Sequence, residues 1–461
     1  MKLIIPFFDK IIEISIYCLV FVLPFSKAGV EICATVAIVA WIFERGLRIK
    51  ELRGKGKDTK VKGSFFPASR FNNLIGMLFL ISLLSMIFSV NINLSLEGVF
   101  LKLAEYLLLF FICFDIFSQK ESSGKRMNIF IIVLLACVFL IFSDSIFQWI
   151  TGKDFLRGFT GGARLRASFS SANNLSAWLI VIIPILWAVV FTPLEKIFVG
   201  SKNFKDNKKN FQHNRVLTDS ANNFGKPGSL TGFAGDKKDK FTRIIKILSL
   251  LLSFVGIVLL GMTFSRGAWV GFFIGSCFIS IFYLISKEKS IRKFSAFVGV
   301  CLIVLFIGGI FVFKPVQKRL LTLREGFEEA GYKKYVWQEA IAIIEDFPIL
   351  GIGPNSYAFV GPHYKLLENT GHYPHNSYLH MAAEAGLLGL GAFLWIIARF
   401  FYLGVKRIKE KGDVLLLGIM AGICAFLVHS FFNPNLYALQ LVVLFWVMMG
   451  VGTARIEKVD G

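Results

Sequence analysis

The chain has 461 residues, 55% of them hydrophobic, and a mean hydropathy of +0.65. A soluble core cannot hide that much apolar surface, so the composition excludes an ordinary soluble protein and predicts an integral membrane protein. The formal net charge of +21 does not indicate a nucleic-acid partner, because the basic residues are scattered through short loops between apolar segments.

Apolar segments long enough to cross a bilayer recur along the whole chain. A membrane-spanning helix needs about 20 mostly apolar residues. In chain order the candidates are 11–26, 28–43, 73–90, 101–118, 128–150, 174–192, 244–262, 267–285, 294–313, 377–401, 413–431 and 435–452. We therefore predict an all-α integral membrane protein with about 12 transmembrane helices and a helical periplasmic loop between helices 9 and 10.

The orientation of these helices follows from the Lys and Arg residues of the loops, which are in excess on the cytoplasmic side. Alternate loops hold nine, three, eleven, four and four of them, at 44–72, 119–127, 193–243, 286–293 and 404–412. We assign these loops, and both termini, to the cytoplasm. The chain is then a multi-pass membrane protein, and membrane lipids are its surroundings.

Two long loops differ in composition. Residues 193–243 are rich in Lys, Asn, Asp and Gly, which predicts a disordered basic cytoplasmic loop. The segment 314–376 contains "YVWQEAIAIIEDFPILGIG", with apolar residues at helical spacing, which predicts amphipathic periplasmic helices. The resulting division is 1–192 for helices 1–6, 193–243 for the disordered loop, 244–313 for helices 7–9, 314–376 for the periplasmic loop, and 377–461 for helices 10–12 with a short tail.

Three arginines stand at the predicted outer face, where positive charge is normally depleted. Arg266 lies in the short connection "TFSRGAW", and Arg164 and Arg166 precede the sixth helix in "GGARLRASFSSANN". A planar guanidinium can hold phosphate oxygens through two parallel hydrogen bonds, which suits a pyrophosphate. Two other interpretations stay open: Arg266 as an anchor of a helix end, and the Arg pair as a site for anionic lipid headgroups.

Three histidines lie around the start of the tenth predicted helix. His375 follows Pro374, and its imidazole can accept a proton from a hydroxyl nucleophile near neutral pH. His372, His375 and His380 also invite a zinc interpretation, but no HExxH pattern occurs and their spacing does not put all three on one helix face. His380 and Glu384 are four residues apart, which predicts a buried polar pair. The seven cysteines lie in apolar segments and indicate no metal site.

At these residues the sequence resembles the O-antigen ligase and O-antigen polymerase superfamily, membrane glycosyltransferases that use undecaprenyl-diphosphate-linked glycans. The resemblance runs from about residue 160 to the C-terminus, through "RLRASFSSANNLSAW", "TFSRGAWVGFF", "VWQEAIAIIEDFPILGIGPNSY" and "HNSYLHMAAEAGLLGLGAF". The last motif is the most specific. The layout is most like an O-antigen ligase.

The resemblance implies catalytic roles for Arg166, Arg266 and His375, with Arg164 as a substitute for Arg166. The family usually has Arg before the loop Trp, where this chain has Lys333, and an acidic residue after the helix 11 His, where it has Asn433. The residues expected to bind substrate are Arg164, Lys333, Asn376 and Lys102. The expected enzyme is inverting, and it needs no metal and no cofactor.

The implied reaction transfers a glycan from undecaprenyl diphosphate to an acceptor hydroxyl at the periplasmic face of the bacterial inner membrane, with lipid A core as the favoured acceptor. A polymerase that extends another glycan and a protein O-oligosaccharyltransferase are alternatives within the superfamily. A lipid-linked glycan transporter is a rival from another class. Transporters place ionisable groups near the middle of the bilayer and show two related halves, whereas these candidates gather at one face.

Overall fold

The computed structural model describes residues 4–54, 64–119, 123–160, 162, 164–192, 230–311, 323–366 and 373–458. Within these residues the chain is helical and forms no β-strand beyond one isolated bridge. The α-helices are α1 Ile4–Val22, α2 Lys27–Gly54, α3 Asn72–Ile87, α4 Ile92–Leu96, α5 Ala104–Ser118, α6 Ser123–Thr151, α7 Ala172–Phe191, α8 Leu230–Met262, α9 Arg266–Ile285, α10 Lys289–Phe311, α11 Leu323–Asp346, α12 Tyr357–Val360, α13 Ser377–Lys411, α14 Val414–Ser430 and α15 Leu439–Ile456. A π-helix, Glu97–Leu103, joins α4 to α5.

A helix lies at each of the twelve predicted membrane segments. Six helices of the described part are long and apolar enough to cross a membrane, and two shorter apolar ones are α3 and α14. The all-helical membrane class is therefore confirmed, and the number twelve stays a prediction. Helix α8 begins at Leu230, so the end of the loop predicted at 193–243 is helical, while 193–229 lies outside the described residues.

Helices α7 and α15 form the centre of the bundle. In their most apolar stretches, 83% of the residues of α7 and 89% of those of α15 are buried inside the protein, compared with 39% for α8, α9 and α13. Helix α14 packs against both α7 and α9, and α15 packs against α5. The less buried helices keep apolar side chains exposed, as expected for surfaces that face lipid tails.

Glycines let α14 approach its neighbours closely. A Cβ at Gly418 would lie 2.7 Å from the carbonyl oxygen of Pro184 in α7, and one at Gly422 would lie 2.6 Å from that of Val181. Helix α9 approaches α14 in the same way through Gly271 and Gly275, which lie against the backbone of α14. Small residues four apart allow such close backbone contact between membrane helices, where van der Waals packing replaces the hydrophobic effect.

The segment before α13 forms a small helical cap with its own core. Helix α11, helix α12 and a 3₁₀ turn at Gly361–Tyr364 lie within the segment 314–376, for which amphipathic helices are predicted. Residues 314–322 and 367–372 lie outside the described residues. The buried members of the cap core are Ala340, Ile343, Ile352, Tyr357, Val360 and Ala383. Burial, and then the charges of Glu339 and Glu384, raise the pKa of the Tyr357 phenol above its usual range.

A break in α13 joins the cap to the bundle. Gly386 has φ 69° and ψ 179°, so the helix ladder stops there. The "PILGIG" segment supplies replacement partners, through hydrogen bonds from Ile352 N to Ala383 O (2.9 Å), Gly353 N to Glu384 O (2.9 Å), Leu387 N to Pro348 O (2.8 Å) and Leu388 N to Ile349 O (3.4 Å). Two motifs that are separate in sequence therefore form one structural unit.

Gly386→Ala is expected to lower the free energy of unfolding of the purified protein by roughly 2 kcal/mol or more, because the positive φ at position 386 strains any residue other than glycine. A Cβ there would also overlap the carbonyl oxygen of Ile349. Gly391→Ala in the same helix is the control, since a Cβ there meets nothing within 4 Å. Thermal unfolding in detergent compares the two. Equal midpoints would contradict the proposed role of the helix break.

Candidate active site

The turn between α8 and α9 places Arg266 at the first position of a helix. Helix α8 ends at Met262 and α9 begins at Arg266, so the "TFS" segment makes a tight reversal. The side chain of Ser265, which precedes α9, makes no capping hydrogen bond and instead lies 3.4 Å from Nε2 of His429. The Arg266 side chain is half-buried at this end of the bundle.

The segment before α7 lies against the same turn. The backbone N–H of Leu165 donates to the carbonyl of Met262 at 3.2 Å, so the two segments run side by side. Nε of Arg164 donates to the Thr263 carbonyl at 2.8 Å, and Nη2 donates to Oδ1 of Asn173 at 2.6 Å. The Arg164 guanidinium is therefore held beside the Arg266 turn.

Arg166 has different surroundings, although it lies only two residues further on. Its guanidinium carbon lies 4.7 Å from the ring centroid of Phe159, and Nη1 donates to the Ser170 carbonyl at 3.4 Å. Its backbone N–H and that of Ala167 donate to Oε1 of Gln148. The side chain thus packs on the loop that follows α6.

A cavity of about 610 Å³ opens at this end of the bundle. Its cationic side chains come from three parts of the chain: Arg164, Arg266, Lys333 and Lys334. The rest of its wall is mainly apolar and amide-bearing, and consists of Asn173, Phe264, Ser265, Gly267, Val270, Trp337, Gln338, Ile341, Phe432 and Asn433. A wall that combines cations with apolar side chains suits a ligand with an anionic group and a hydrocarbon chain.

The cavity brings three of the predicted residues together: Arg164, Arg266 and Lys333. Among the described residues, its wall does not include Arg166 or His375. Lys102, in the π-helix, is exposed and donates to Oδ1 of Asn355 at 2.7 Å, which places it on the "GIGPNS" turn.

His375 precedes α13, which begins at Ser377. Two residues later, Oγ of Ser377 donates to the carbonyl of Asn433 at 2.9 Å, and Asn433 lines the cavity. The amide oxygen of Asn376 accepts the N–H groups of Tyr378 and Leu379, at 2.9 and 3.1 Å. Asn376 is therefore the N-cap of α13, and its side chain is buried.

The pair predicted between His380 and Glu384 is confirmed. The two side chains are 1% and 5% exposed, and His380 Nε2 lies 3.4 Å from Glu384 Oε1. The third histidine of the zinc interpretation, His372, lies outside the described residues. In the part of the chain that is described, no group of three or more His, Cys, Asp or Glu residues has the geometry of a metal site.

Unusual backbone conformations accompany the candidate residues. Four non-glycine residues of the described chain have positive φ: Ala167 (48°), Phe264 (49°), Asn355 (65°) and His375 (50°). Ala167 follows Arg166, and Phe264 lies two residues before Arg266. Such conformations cost about 1–3 kcal/mol each and cluster at functional sites, where the surrounding structure enforces them.

The sequence singles out Asn433 and the helix 11 histidine, but it does not predict that they lie together with Asn173 beside the cavity. Asn433 donates to His429 and accepts from Asn173, 260 positions away along the chain. The signal in the sequence was "HSFFNPN", a run with polar residues at the end of an apolar helix. Polar residues at membrane depth are rare and functional by default, so that run could have been selected.

Known proteins resemble this chain over part of its length. Residues 249–394 match the family model Wzy_C, described as O-Antigen ligase. The match contains Arg266, Lys333 and His375, and the resemblance predicted from the motifs is confirmed. The Exopolysaccharide production protein ExoQ of Rhizobium meliloti (strain 1021) is 19% identical, over 38% of this chain and 48% of that protein. The chain therefore spans about half the length of the curated relative it matches.

Proposed function

We propose that the chain is a membrane glycosyltransferase that moves a glycan from a polyprenyl diphosphate, undecaprenyl diphosphate in bacteria, to an acceptor hydroxyl. The observation that carries the proposal is the cavity in which Arg164, Arg266 and Lys333 meet beside an apolar wall. The family match over 249–394 supports the same reaction class. The cavity faces the periplasm in the orientation predicted from the basic loops.

The cationic wall holds the diphosphate. A guanidinium presents a rigid fork of donors that matches two phosphate oxygens, and Arg266 and Arg164 supply two such forks. Lys333 adds a point charge from the cap. As the glycosidic C–O bond breaks, negative charge grows on the leaving diphosphate, and these groups stabilise it most in the transition state.

His375 accepts the proton of the attacking hydroxyl. The acceptor oxygen bonds to the anomeric carbon while the diphosphate leaves from the opposite side, so the anomeric configuration inverts. The proton passes to the imidazole, and undecaprenyl diphosphate is released. The hydrogen bond from Ser377 to Asn433 supports this role, because it ties the start of α13 to the cavity wall.

The comparisons suggest two candidate acceptors. Lipid A core is the acceptor of an O-antigen ligase, the description carried by the matching family model. A growing glycan is the acceptor of a polymerase, and the printed name of the similar Rhizobium protein refers to exopolysaccharide production. We propose the ligase reaction and keep the polymerase as the second candidate.

Purified protein incubated with an undecaprenyl-diphosphate-linked oligosaccharide tests the reaction. With lipid A core present, the expected result is glycan-modified lipid A core together with free undecaprenyl diphosphate, with or without a chelator. Elongated lipid-linked glycan would instead identify a polymerase. In sealed vesicles, movement of the intact lipid-linked glycan without release of undecaprenyl diphosphate would identify a transporter and contradict the proposal.

Lys333→Ala is expected to raise the KM for the lipid-linked donor about tenfold, because one charge-assisted contact to the diphosphate is lost. Lys102→Ala is the matched comparison, since Lys102 lies on the "GIGPNS" turn and does not line the cavity. It is expected to change the donor KM less. Steady-state transfer rates at varied donor concentration measure both variants. A larger effect at Lys102 would place the diphosphate at the "GIGPNS" turn and not in the cavity.

A further inference from the structure

A chain of polar side chains leads from the cavity wall into the bundle. Arg164 Nη2 donates to Asn173 Oδ1 at 2.6 Å, and Asn173 Nδ2 donates to Asn433 Oδ1 at 2.8 Å. Asn433 Nδ2 lies 2.9 Å from His429 Nε2, and the Asn435 amide lies 2.9 Å from His429 Nδ1. His429 is 0% exposed. These four contacts connect a cavity arginine to a buried imidazole.

Arg164 fixes the direction of the hydrogen bonds that lead through Asn173 and Asn433 to His429 Nε2. A guanidinium only donates, so Asn173 presents its oxygen to Arg164 and its NH₂ group to Asn433. Asn433 therefore accepts with its oxygen and donates with its NH₂ group to His429 Nε2. Because Nε2 accepts, the His429 imidazole is neutral and carries its proton on Nδ1.

The reverse set of hydrogen bonds, with the proton on His429 Nε2, is excluded by the contact between Asn173 and Arg164. A proton on His429 Nε2 would require Asn433 to present its oxygen there and its NH₂ group to Asn173. Asn173 would then present its own NH₂ group to the Arg164 guanidinium, so that two donors would meet at 2.6 Å. At the other ring nitrogen, the proton on Nδ1 needs an acceptor, which the amide oxygen of Asn435 provides once that amide is turned. The turned oxygen also faces the Ser430 hydroxyl, 3.1 Å away, which then donates to it.

We propose that Asn173, Asn433 and His429 are positioning residues that hold the Arg164 guanidinium on the cavity wall in the orientation that binds the donor diphosphate. The proposal rests on the proposed function. Two guanidinium nitrogens of Arg164 have fixed partners, Nε on the Thr263 carbonyl and Nη2 on Asn173. Each partner removes rotational freedom before the ligand arrives, and such preorganisation increases affinity because less entropy is lost on binding.

Two substitutions of His429 that are similar in size to each other test the chain. His429→Leu removes the acceptor for Asn433, whereas His429→Gln retains an acceptor oxygen near the position of Nε2. With full-length protein in detergent and undecaprenyl diphosphate as the probe, His429→Leu is expected to weaken binding about tenfold, since one buried donor loses its partner. His429→Gln is expected to retain more of the affinity. Equal losses for Leu and Gln would contradict the proposal.

A double-mutant cycle separates positioning from a general structural effect. With Arg164→Ala in place, His429→Leu is expected to cause no further loss of affinity, because no guanidinium remains to be positioned. The same loss in both backgrounds would overturn the proposal. If His429→Leu does not fold, Asn173→Leu takes its place in the double-mutant cycle, because it removes the direct acceptor of Arg164. Gln440→Leu, which removes a buried polar contact to the Leu23 carbonyl, is the control for stability alone.

The cycle also distinguishes this inference from the proposed function. If Arg164→Ala and Arg266→Ala leave the affinity for undecaprenyl diphosphate unchanged, the cavity is not the diphosphate site and the proposed function fails. If both arginine variants weaken binding while His429→Leu and Asn173→Leu do not, the diphosphate site stands and the positioning chain alone is wrong.

Discussion

Arg266→Lys is expected to lower the rate of glycan transfer by about 10²-fold, although the positive charge is kept. Lysine is a compact charge without the planar fork, and Arg266 stands at the first position of α9, where a fixed backbone aims the side chain into the cavity. Losing a preorganised donor at a site of developing charge costs rates of this order. Transfer from a lipid-linked oligosaccharide at saturating donor measures the effect on kcat.

Arg157→Lys is the control for the arginine substitution. Arg157 is an exposed arginine of the loop after α6, with its guanidinium carbon 5.5 Å from the Phe159 ring. We expect that variant to keep its transfer rate. Full activity of Arg266→Lys would show that charge alone suffices and that the bidentate grip is the wrong explanation.

His375→Ala is expected to lower transfer by about 10²- to 10⁴-fold, the contribution usually made by a general base. The donor KM should change little, because the diphosphate is held by the cationic wall and not by the imidazole. His363→Ala, in the exposed 3₁₀ turn of the cap, is the matched control and should leave the rate unchanged. An unchanged rate in His375→Ala would remove the proposed base and leave the diphosphate site in place.

The membrane class could be predicted from sequence because apolar runs are a local property of the chain. The number of membrane-spanning helices is harder to predict from the sequence. Helices α3 and α14 have 16 and 17 residues, and α5 continues from a π-helix, so segment length alone does not decide which elements cross the bilayer. The break in α13 was equally hidden, since "GLLGLG" contains three glycines and only the docking of the "PILGIG" segment selects Gly386.

The motifs of the candidate site could be predicted from the sequence, but the positions of their side chains could not. Arg164 and Arg166 are two residues apart and look equivalent in sequence, but the backbone between and after them is irregular, with Ala167 at positive φ. One guanidinium therefore reaches the cavity wall and the other packs on Phe159. The contact of Asn173 with Asn433 joins distant parts of the chain, and such pairing appears only in the folded protein.

A structure of the protein with undecaprenyl diphosphate bound, determined by electron cryomicroscopy, would show directly where the diphosphate lies. We expect diphosphate density within hydrogen-bonding distance of Arg266 and Arg164, with the isoprenoid chain along Val270, Ile341 and Phe432. Diphosphate density elsewhere, for example at the groove formed by Lys406 and Lys409 near the far end of α13, with the cavity left empty, would contradict it.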